Sequence, residues 1–467
     1  MGTTIHKWYA LLIVLTAPLL YVIDIFIINI AIPTIKGSLQ ASDGEIQLVI
    51  ASYLLGSACF LIIGGRAGDF LGKKKVFFWG MFAFTITSCI CGFSQTAAQL
   101  NIARFFQGLS SAFMVTQSIS LIQLLFINPK DRAVAIGWYG ITLSIAAIIG
   151  QVLGGYLAET HFLVEGWRLI FFINLPVGVL SLLAIHYYLT ETAKARRGGF
   201  DYGGASVLTI GLASLIYALT EGRENHFPWW FYLLFLLSVI LLVIFIYIQK
   251  NRLLNKQNPL MDISLFKIKD FRIGLFAVLF HFMFHTAYLL IIAVYLQSGL
   301  GVTALTCGLY FIPHAIFFML SSMAAAKLLP KFGKRVLQFG LVIIMLSFLL
   351  QIFCFTTKDI PFISILFLSL YGLGNGLVLP FLLNVVLNNI DENNAGTASG
   401  VFSTFQQTAS ALGISIIGGV FYTVLDQNEG LTDYLSALRG GLMVCILFVI
   451  VVWGMLSLLP HTANAKR

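Results

Sequence analysis

The sequence consists mainly of long apolar runs, separated by short segments that carry charged and turn-forming residues. A membrane-spanning helix needs about 20 mostly apolar residues, and runs of that length recur along the whole chain. Hydrophobic residues form 59% of the 467 positions and charged residues only 10%, which excludes a soluble enzyme of this size and a disordered chain. We predict an all-α integral membrane protein with 14 transmembrane helices, at residues 8–33, 46–65, 76–94, 98–127, 133–158, 167–190, 203–220, 229–249, 272–297, 302–326, 335–356, 360–389, 397–424 and 437–460.

The distribution of basic residues tests this number of spans. With the amino terminus in the cytoplasm, 22 of the 28 Lys and Arg residues fall in cytoplasmic segments, 5 fall in external segments, and Arg104 lies within a span. Because Lys and Arg concentrate in cytoplasmic loops, this bias supports an even number of spans. We expect a multi-pass protein of the cell (inner or plasma) membrane with both termini cytoplasmic. The same loops account for the net charge of +9, so no nucleic-acid partner is expected.

A short basic motif appears twice in the chain. Gly72-Lys73-Lys74 follows the second predicted span, and Gly333-Lys334-Arg335 follows the tenth, 261 residues later. If each copy belongs to a six-helix half, the seventh and eighth spans are an inserted pair. We predict an amino-terminal half at residues 1–190, two inserted helices with linkers at 191–270, and a carboxyl-terminal half at 271–467. Two halves around a midplane site are a common design of membrane transporters.

Three motifs carry a family resemblance. They are Gly65-x-x-x-Asp69-x-x-Gly72-Lys73-Lys74 after the second span, Arg104-Phe-Phe-Gln107-Gly108 in the fourth, and Leu19-Leu20-Tyr-Val-Ile-Asp24 in the first. With these motifs the chain resembles the major facilitator superfamily, specifically its fourteen-helix drug:proton antiporter branch. The resemblance implies the major facilitator fold, which here means two six-helix halves plus two extra central helices.

The resemblance also implies a role for the loop after the second span. In the family this loop joins cytoplasmic helix ends, so the expected gating motif consists of Gly65, Asp69, Gly72, Lys73 and Lys74. An acid near a helix amino terminus and cations near anionic head groups are each favourable. We expect Asp69 to act in gating and not to touch substrate.

The fifth span departs from the family pattern. Its antiporter motif usually ends Gly-Pro-x-x-Gly-Gly, whereas this chain has Gly150-Gln151-Val-Leu-Gly154-Gly155. The glycines Gly150, Gly154 and Gly155 still permit close helix packing. Gln151 stands where the proline would kink the helix, and we expect its side chain to line the cavity or to face a neighbouring helix.

Asp24 and Arg104 are the charged residues that we place deep within spans. Counting from the outer helix ends at about 1.5 Å per residue places them at similar depths, about 13 and 9 Å. A charge in hydrocarbon costs at least about 3 kcal/mol unless it is paired or hydrated, so both are candidates for proton coupling. The alternative is a static, structural ion pair. We favour proton coupling, with Gln107 as a candidate cavity-lining residue beside them.

Three histidines lie near the middle of predicted spans. His281 and His285 are four residues apart in the ninth span and share one helical face, and His314 lies in the tenth. They lack a nearby acidic or cysteine partner, so we expect no metal site. Neutral, hydrogen-bonded histidines and histidines that bind protons or sense substrate polarity are both open interpretations. Other polar candidates for the cavity lining are Gln406 and Gln407 in the thirteenth span.

These features predict a proton-coupled secondary active exporter of amphipathic small molecules (drugs, dyes or metabolites) that works by alternating access. No G-x-x-x-x-G-K-[ST] phosphate loop is present, so we expect the proton gradient to supply the energy and no cofactor to be needed. The alternatives are a dedicated exporter of one natural product, such as a siderophore, and an importer of the same fold. We expect neither a membrane enzyme nor a non-transporting scaffold. The histidines lack the partners that catalysis requires, and a scaffold would not need a buried Asp24 and Arg104 or the two-half repeat. The expected partners are a small-molecule substrate, protons and the lipid bilayer, and we expect a monomer.

Overall fold

The computed structural model describes residues 3–160, 165–191, 201–224, 227–255, 257, 259–356, 361–387, 390, 392–425 and 431–459. These residues form α-helices and short 3-10 or π segments, and no strand occurs among them. The helices are α1 (Thr3–Leu39), α2 (Asp43–Leu71), α3 (Lys73–Phe93), α4 (Ala97–Leu125), α5 (Pro129–Glu159), α6 (Gly166–Phe172), α7 (Asn174–Tyr188), α8 (Tyr202–Glu224), α9 (Trp229–Leu254), α10 (Lys269–Val294), α11 (Ala304–Phe332), α12 (Arg335–Cys354), α13 (Pro361–Val378), α14 (Leu382–Leu387), α15 (Glu392–Gly413), α16 (Gly419–Leu425) and α17 (Leu431–Ser457).

In the described part of the chain, 14 helical segments are long and apolar enough to cross a membrane. This number confirms the prediction, as does the absence of strands from the described residues. Three of the spans are built from two helices in sequence, with α6 and α7 in the sixth, α13 and α14 in the twelfth, and α15 and α16 in the thirteenth.

The chain forms two compact units, Met1–Met261 and Asp262–Arg467. In the first unit α2 and α3 pack on α4, α1 packs on α5, and α8 contacts both α9 and α2. The pair of helices predicted as an insertion, α8 and α9, therefore belongs to the first unit. In the second unit α13 packs on α11 and α12, and α10 packs on α15 and α17. The predicted subdivision into six, two and six helices stays a prediction.

Helix ends in the first unit follow local sequence signals. Ser42 accepts a hydrogen bond from the Glu45 backbone, and the Glu45 side chain accepts one from the Ser42 backbone, which is a complete capping box for α2. α2 ends at Leu71 and is capped by Gly72, whose φ of +99° suits a residue without a Cβ. The N-cap of α4 is Thr96, whose hydroxyl accepts from the Gln99 backbone.

Glycines permit the closest helix crossings in both units. A Cβ atom at Gly108 on α4 would lie 2.0 Å from the Tyr53 carbonyl oxygen on α2. In the second unit, a Cβ at Gly372 on α13 would lie 2.2 Å from the His314 carbonyl oxygen on α11. Real side chains do not approach this closely, so α2–α4 and α11–α13 depend on glycine at these crossings.

Candidate functional site

A buried polar network in the first unit joins α1 to α4. Arg104 donates from Nη1 to Asp24 Oδ2, and both side chains are completely buried. The same Nη1 donates to Gln107 Oε1 at 2.8 Å, and Gln107 Nε2 donates to Asp24 Oδ1 at 2.9 Å. Both carboxylate oxygens of Asp24 are therefore bound, and the ion pair is neutral as a whole. We call Asp24, Arg104 and Gln107 the ionic network.

Further contacts from α2 and α6 hold the Arg104 guanidinium. Its Nε donates to the Val49 carbonyl at 3.1 Å, and its central carbon lies 4.2 Å from the centroid of the Tyr53 ring. The centroid of the Phe171 ring lies 5.8 Å from the same carbon. Cation–π attraction to rings at these distances offsets part of the desolvation of the guanidinium. Its Nη2 has no hydrogen-bond partner among the described residues.

The local sequence of α4 brings the ionic network together. Arg104 and Gln107 are three residues apart and lie on one helical face. Gly108 lets α4 approach α2 closely enough for Arg104 to reach a backbone carbonyl there. Asp24 lies on α1, which also contacts α4. The structure therefore brings Asp24, Arg104 and Gln107 into direct contact, while their predicted role in proton coupling stays a prediction.

The predicted gating motif lies at the junction of α2 and α3. Gly65 lies within α2, Gly72 separates the two helices, and Lys73 begins α3. Lys74 Nζ donates to the His186 carbonyl at 3.2 Å, near the end of α7. The backbone of Asp69 lies in the last turn of α2, but its side chain is outside the described residues.

Two glycines of the fifth span lie against α1. A Cβ at Gly150 would lie 2.9 Å from the Ile23 carbonyl oxygen, and one at Gly154 would lie 2.7 Å from that of Ile27. Gly155 is buried in the same helix. Gln151 is 3% exposed, and its Oε1 has no hydrogen-bond partner among the described residues. Its predicted place in a cavity lining stays a prediction.

A second polar cluster lies in the second unit. His281 and His285 extend from α10, and their ring centroids are 6.3 Å apart. The Tyr371 ring of α13 lies nearly parallel to His285 at 6.1 Å and to His314 of α11 at 5.5 Å. The structure therefore places His285 and His314 beside one tyrosine, with His281 next to His285.

The two predicted glutamines of α15 differ in burial. Gln407 is 6% exposed, whereas Gln406 is half-buried. Their predicted role in a cavity lining stays a prediction. α15 itself is joined to α10 by a hydrogen bond of 2.9 Å from the Thr286 hydroxyl to the Ser410 hydroxyl.

Sequence reasoning missed a buried carboxylate outside the spans' centres. Asp201 is fully buried and accepts hydrogen bonds from the Gly204 backbone at 2.8 Å and from Gln249 Nε2 at 2.7 Å. Arg252 lies 3.0 Å from the same carboxylate, and Gln249 Oε1 accepts from the Met261 backbone at 3.0 Å. This cluster joins α8, α9 and the end of the first unit. Asp201 directly precedes a helix, the usual place of an N-cap acid, which is the signal that could have located it.

Comparisons with known proteins agree with the fold and the motifs. A family model described as Major Facilitator Superfamily matches residues 14–201 and 193–414. The chain is 31% identical over 427 residues to the "Probable actinorhodin transporter" of Streptomyces coelicolor, covering 91% of this chain and 74% of that protein. It is 29% identical to "Multidrug resistance protein Stp" of Mycobacterium tuberculosis, covering 85% of this chain and 73% of that one. It is 30% identical to "Multidrug export protein EmrB" of Escherichia coli, covering 74% and 65%.

Solved structures show the same fold at low sequence identity. A bacterial homologue of the human lysosomal transporter Spinster, inward-facing and unoccupied, matches with a TM-score of 0.70, 15% identity and 97% coverage of both chains. A D-xylose-proton symporter matches with a TM-score of 0.66, 12% identity and coverage of 96% and 97%. The matched family model spans most of the residues and confirms the resemblance carried by the motifs, so this chain belongs to the major facilitator superfamily.

Proposed function

We propose that this protein is a proton-coupled exporter of amphipathic small molecules, with drugs and antibiotics among its substrates. Two relatives at 29% and 30% identity carry the names of a multidrug resistance protein and a multidrug export protein. The observation that carries the proton coupling is the ionic network, a carboxylate and a guanidinium buried together inside two spans. Ionisable groups in the interior of transporters mark proton paths.

In this proposal Asp24 carries the proton. While Asp24 is ionised, Arg104 and Gln107 hold both of its oxygens. Protonation removes the negative charge, so the guanidinium keeps only its contacts with Gln107, the Val49 carbonyl and the Tyr53 ring. The network then has two arrangements with different α1–α4 contacts, the kind of two-state element that coupling needs. One proton moving down about 100 mV releases about 2.3 kcal/mol, which export can use.

We further propose that both termini are cytoplasmic and that the α2–α3 junction acts as a gate on that side. The uneven distribution of basic residues supports this orientation. The bond from Lys74 to the His186 carbonyl supports the gate, because it ties the start of α3 to α7 without involving the ionic network. A gate of this kind changes which side of the membrane the substrate site faces and does not contact the substrate.

The test uses purified protein in liposomes with a pH gradient and ethidium as the transported probe. Asp24→Asn keeps the size of the side chain but cannot carry a proton, so gradient-driven efflux should fall to the level of empty liposomes. Asp131→Asn is the matched control, because Asp131 is also an ion-paired acid but is 39% exposed and pairs with Lys7. The control should retain at least about half of the wild-type rate, since exposed ion pairs contribute little. Full, pH-dependent efflux by Asp24→Asn would show that the ionic network is only structural.

A transporter dedicated to one compound is the second candidate function. The relative at 31% identity is named for actinorhodin alone, and another at 28% is named for puromycin resistance. The same liposomes distinguish the two candidates when they are loaded in turn with ethidium, puromycin and an uncharged lipophilic dye. Gradient-driven export of several of these probes supports the multidrug function. Export of a single probe from the set supports a dedicated transporter.

A further inference from the structure

The second polar cluster contains a chain of hydrogen bonds between α10 and α13, which we call the relay. Its members are His281 and His285 of α10 and Tyr371 and Asn375 of α13. His285 Nδ1 lies 2.7 Å from the Tyr371 hydroxyl and 3.2 Å from Asn375 Nδ2. On the other side of the same amide, Asn375 Oδ1 lies 2.9 Å from His281 Nε2. His281, Tyr371 and Asn375 are each at most 1% exposed, whereas His285 keeps accessible surface. His285 is therefore the most exposed member of the relay.

The chemistry of the amide fixes the direction of each bond. An amide nitrogen can only donate, so His285 Nδ1 accepts from Asn375 and carries no proton. An amide oxygen can only accept, so His281 Nε2 carries a proton and donates it to Asn375. Both rings are therefore neutral with the proton on Nε2. His281 Nδ1 is left as a buried nitrogen without a hydrogen-bond partner among the described residues.

A proton added to His285 Nδ1 conflicts with this arrangement. The Tyr371 hydroxyl, which donates to Nδ1 at 2.7 Å while His285 is neutral, can turn to accept from the new N–H. The Asn375 amide N–H, 3.2 Å away, can only donate, and two donors repel each other. Rotation of the amide by half a turn presents Oδ1 to His285 and Nδ2 to His281. His281 Nε2 must then accept, so its N–H bond breaks and a new one forms at Nδ1, the unpartnered nitrogen. The balance is one proton gained from solvent at His285 and one proton moved between the nitrogens of His281.

We propose that His281, His285, Tyr371 and Asn375 form a second proton-binding site, in which the amide of Asn375 is a switch with two positions. The use of this site in transport rests on the proposed function, whereas proton binding does not. The relay differs from the ionic network because its side chains carry no charge until a proton arrives.

The groups around the relay favour a proton as its ligand. The titratable neighbours are His314 and Tyr288 beside Tyr371, and Cys445 of α17 near both tyrosines. Among the described residues, no three potential metal ligands are grouped closely enough to hold an ion. His314 donates from Nδ1 to the Leu368 carbonyl at 3.3 Å, which is outside the relay. His314 therefore positions the Tyr371 ring and does not exchange hydrogen bonds with the switch.

The test is nitrogen NMR of the full chain in lipid nanodiscs, with the histidine rings labelled with nitrogen-15. Chemical shifts of the ring nitrogens distinguish the two neutral tautomers and the cation, and His285→Gln and His281→Gln assign the signals. On acidification from about pH 8, His285 should become doubly protonated. His281 should change from the Nε2–H to the Nδ1–H tautomer at the same midpoint. His314 serves as the internal control and should keep its Nδ1–H tautomer throughout.

Asn375→Asp is the matching variant, because it has the same shape but two accepting oxygens. Its carboxylate can accept from His285 and His281 at once, so His285 should stay protonated across the whole range and His281 should keep Nε2–H. Unchanged neutral tautomers of both rings in the wild type would overturn the proposal, as would protonation of His285 without a change at His281. The measurement needs neither substrate nor gradient, so its outcome is independent of the efflux assay on Asp24→Asn.

Discussion

The two compact units bury their polar side chains in opposite ways. In the first unit Asp24 and Arg104 are charged and cancel each other; they share one hydrogen bond, and Gln107 is bound to both. In the second unit His281, His285 and Asn375 are joined by directional bonds between neutral groups. An ion pair is broken when a proton arrives, whereas a neutral relay is reorganised. The two regions thus respond to protonation by different physical mechanisms.

The comparison is tested most strongly by removing one partner from each network. Arg104→Gln leaves a buried carboxylate without its cation, and we expect a loss of about 3–5 kcal/mol in the free energy of unfolding. His281→Gln removes one neutral hydrogen bond, and we expect a loss of about 1–3 kcal/mol. Thermal unfolding in one detergent, followed by fluorescence, should rank the two variants in that order.

The control for this ranking is the double variant Asp24→Asn with Arg104→Gln. It removes both charges, so it should recover part of the stability that Arg104→Gln loses. Equal losses for Arg104→Gln and His281→Gln would contradict the difference between the two regions. A double variant no more stable than Arg104→Gln would indicate that Arg104 acts mainly through Val49 and Tyr53.

Helix packing should respond alike in both units, although their polar chemistry differs. Gly108→Ala and Gly372→Ala each force a Cβ into a backbone carbonyl, at 2.0 and 2.2 Å, and we expect losses of about 1–3 kcal/mol for both. Gly137→Ala is the control, because a Cβ there meets nothing within 4 Å. It should leave the unfolding midpoint unchanged or raise it slightly. A tolerated Gly372→Ala would show that the α11–α13 crossing can relax where α2–α4 cannot.

An exposed ion pair should make the smallest of these contributions to the free energy of unfolding. The hydroxyl of Ser38 donates to Glu165, and this bond, together with those from Arg168 and Trp167, lowers the pKa of the Glu165 carboxyl. The resulting stability is present above the unfolded pKa of about 4.3 and is lost as the pH falls through the lower folded pKa. Because Glu165 is 49% exposed, solvent screens the pair and we expect only a few tenths of a kcal/mol.

The measurement is the unfolding midpoint of Glu165→Gln and wild type between about pH 3 and 7. The wild type should exceed the variant slightly at neutral pH, and the difference should vanish in acid. A difference as large as that of Arg104→Gln would mean that exposure is not what separates this pair from the ionic network.

The sequence was sufficient to predict the spans and the similar depths of Asp24 and Arg104. Apolar runs of membrane length are visible without any tertiary contact, and the rise per helical residue gives the depth of each charge. The shared face of His281 and His285 follows from their spacing of four residues in the same way.

The partners of the histidines could not be predicted. Tyr371 lies 86 residues from His285 and Asn375 lies 94 residues from His281, so their contacts depend on how α10, α11 and α13 pack. The burial of Asp201 depends likewise on the pairing of α8 with α9, which brings Gln249 beside it. Hydrophobic pattern specifies that a helix crosses the membrane but not which neighbour it meets.

The separation of 80 residues between Asp24 and Arg104 also has a consequence for biosynthesis. The ribosome delivers α1 to the membrane well before α4 has been made, so Asp24 enters the bilayer without its cation. Insertion of an acid at the centre of a helix costs about 3 kcal/mol, which about five to ten Leu, Ile, Phe or Val residues offset. α1 is rich in such residues, whereas α4 is the least apolar of the fourteen spans and arrives with Arg104. It follows that α1 is already in the membrane when α4 is inserted beside it. The order of translation is therefore part of how this charge pair becomes buried.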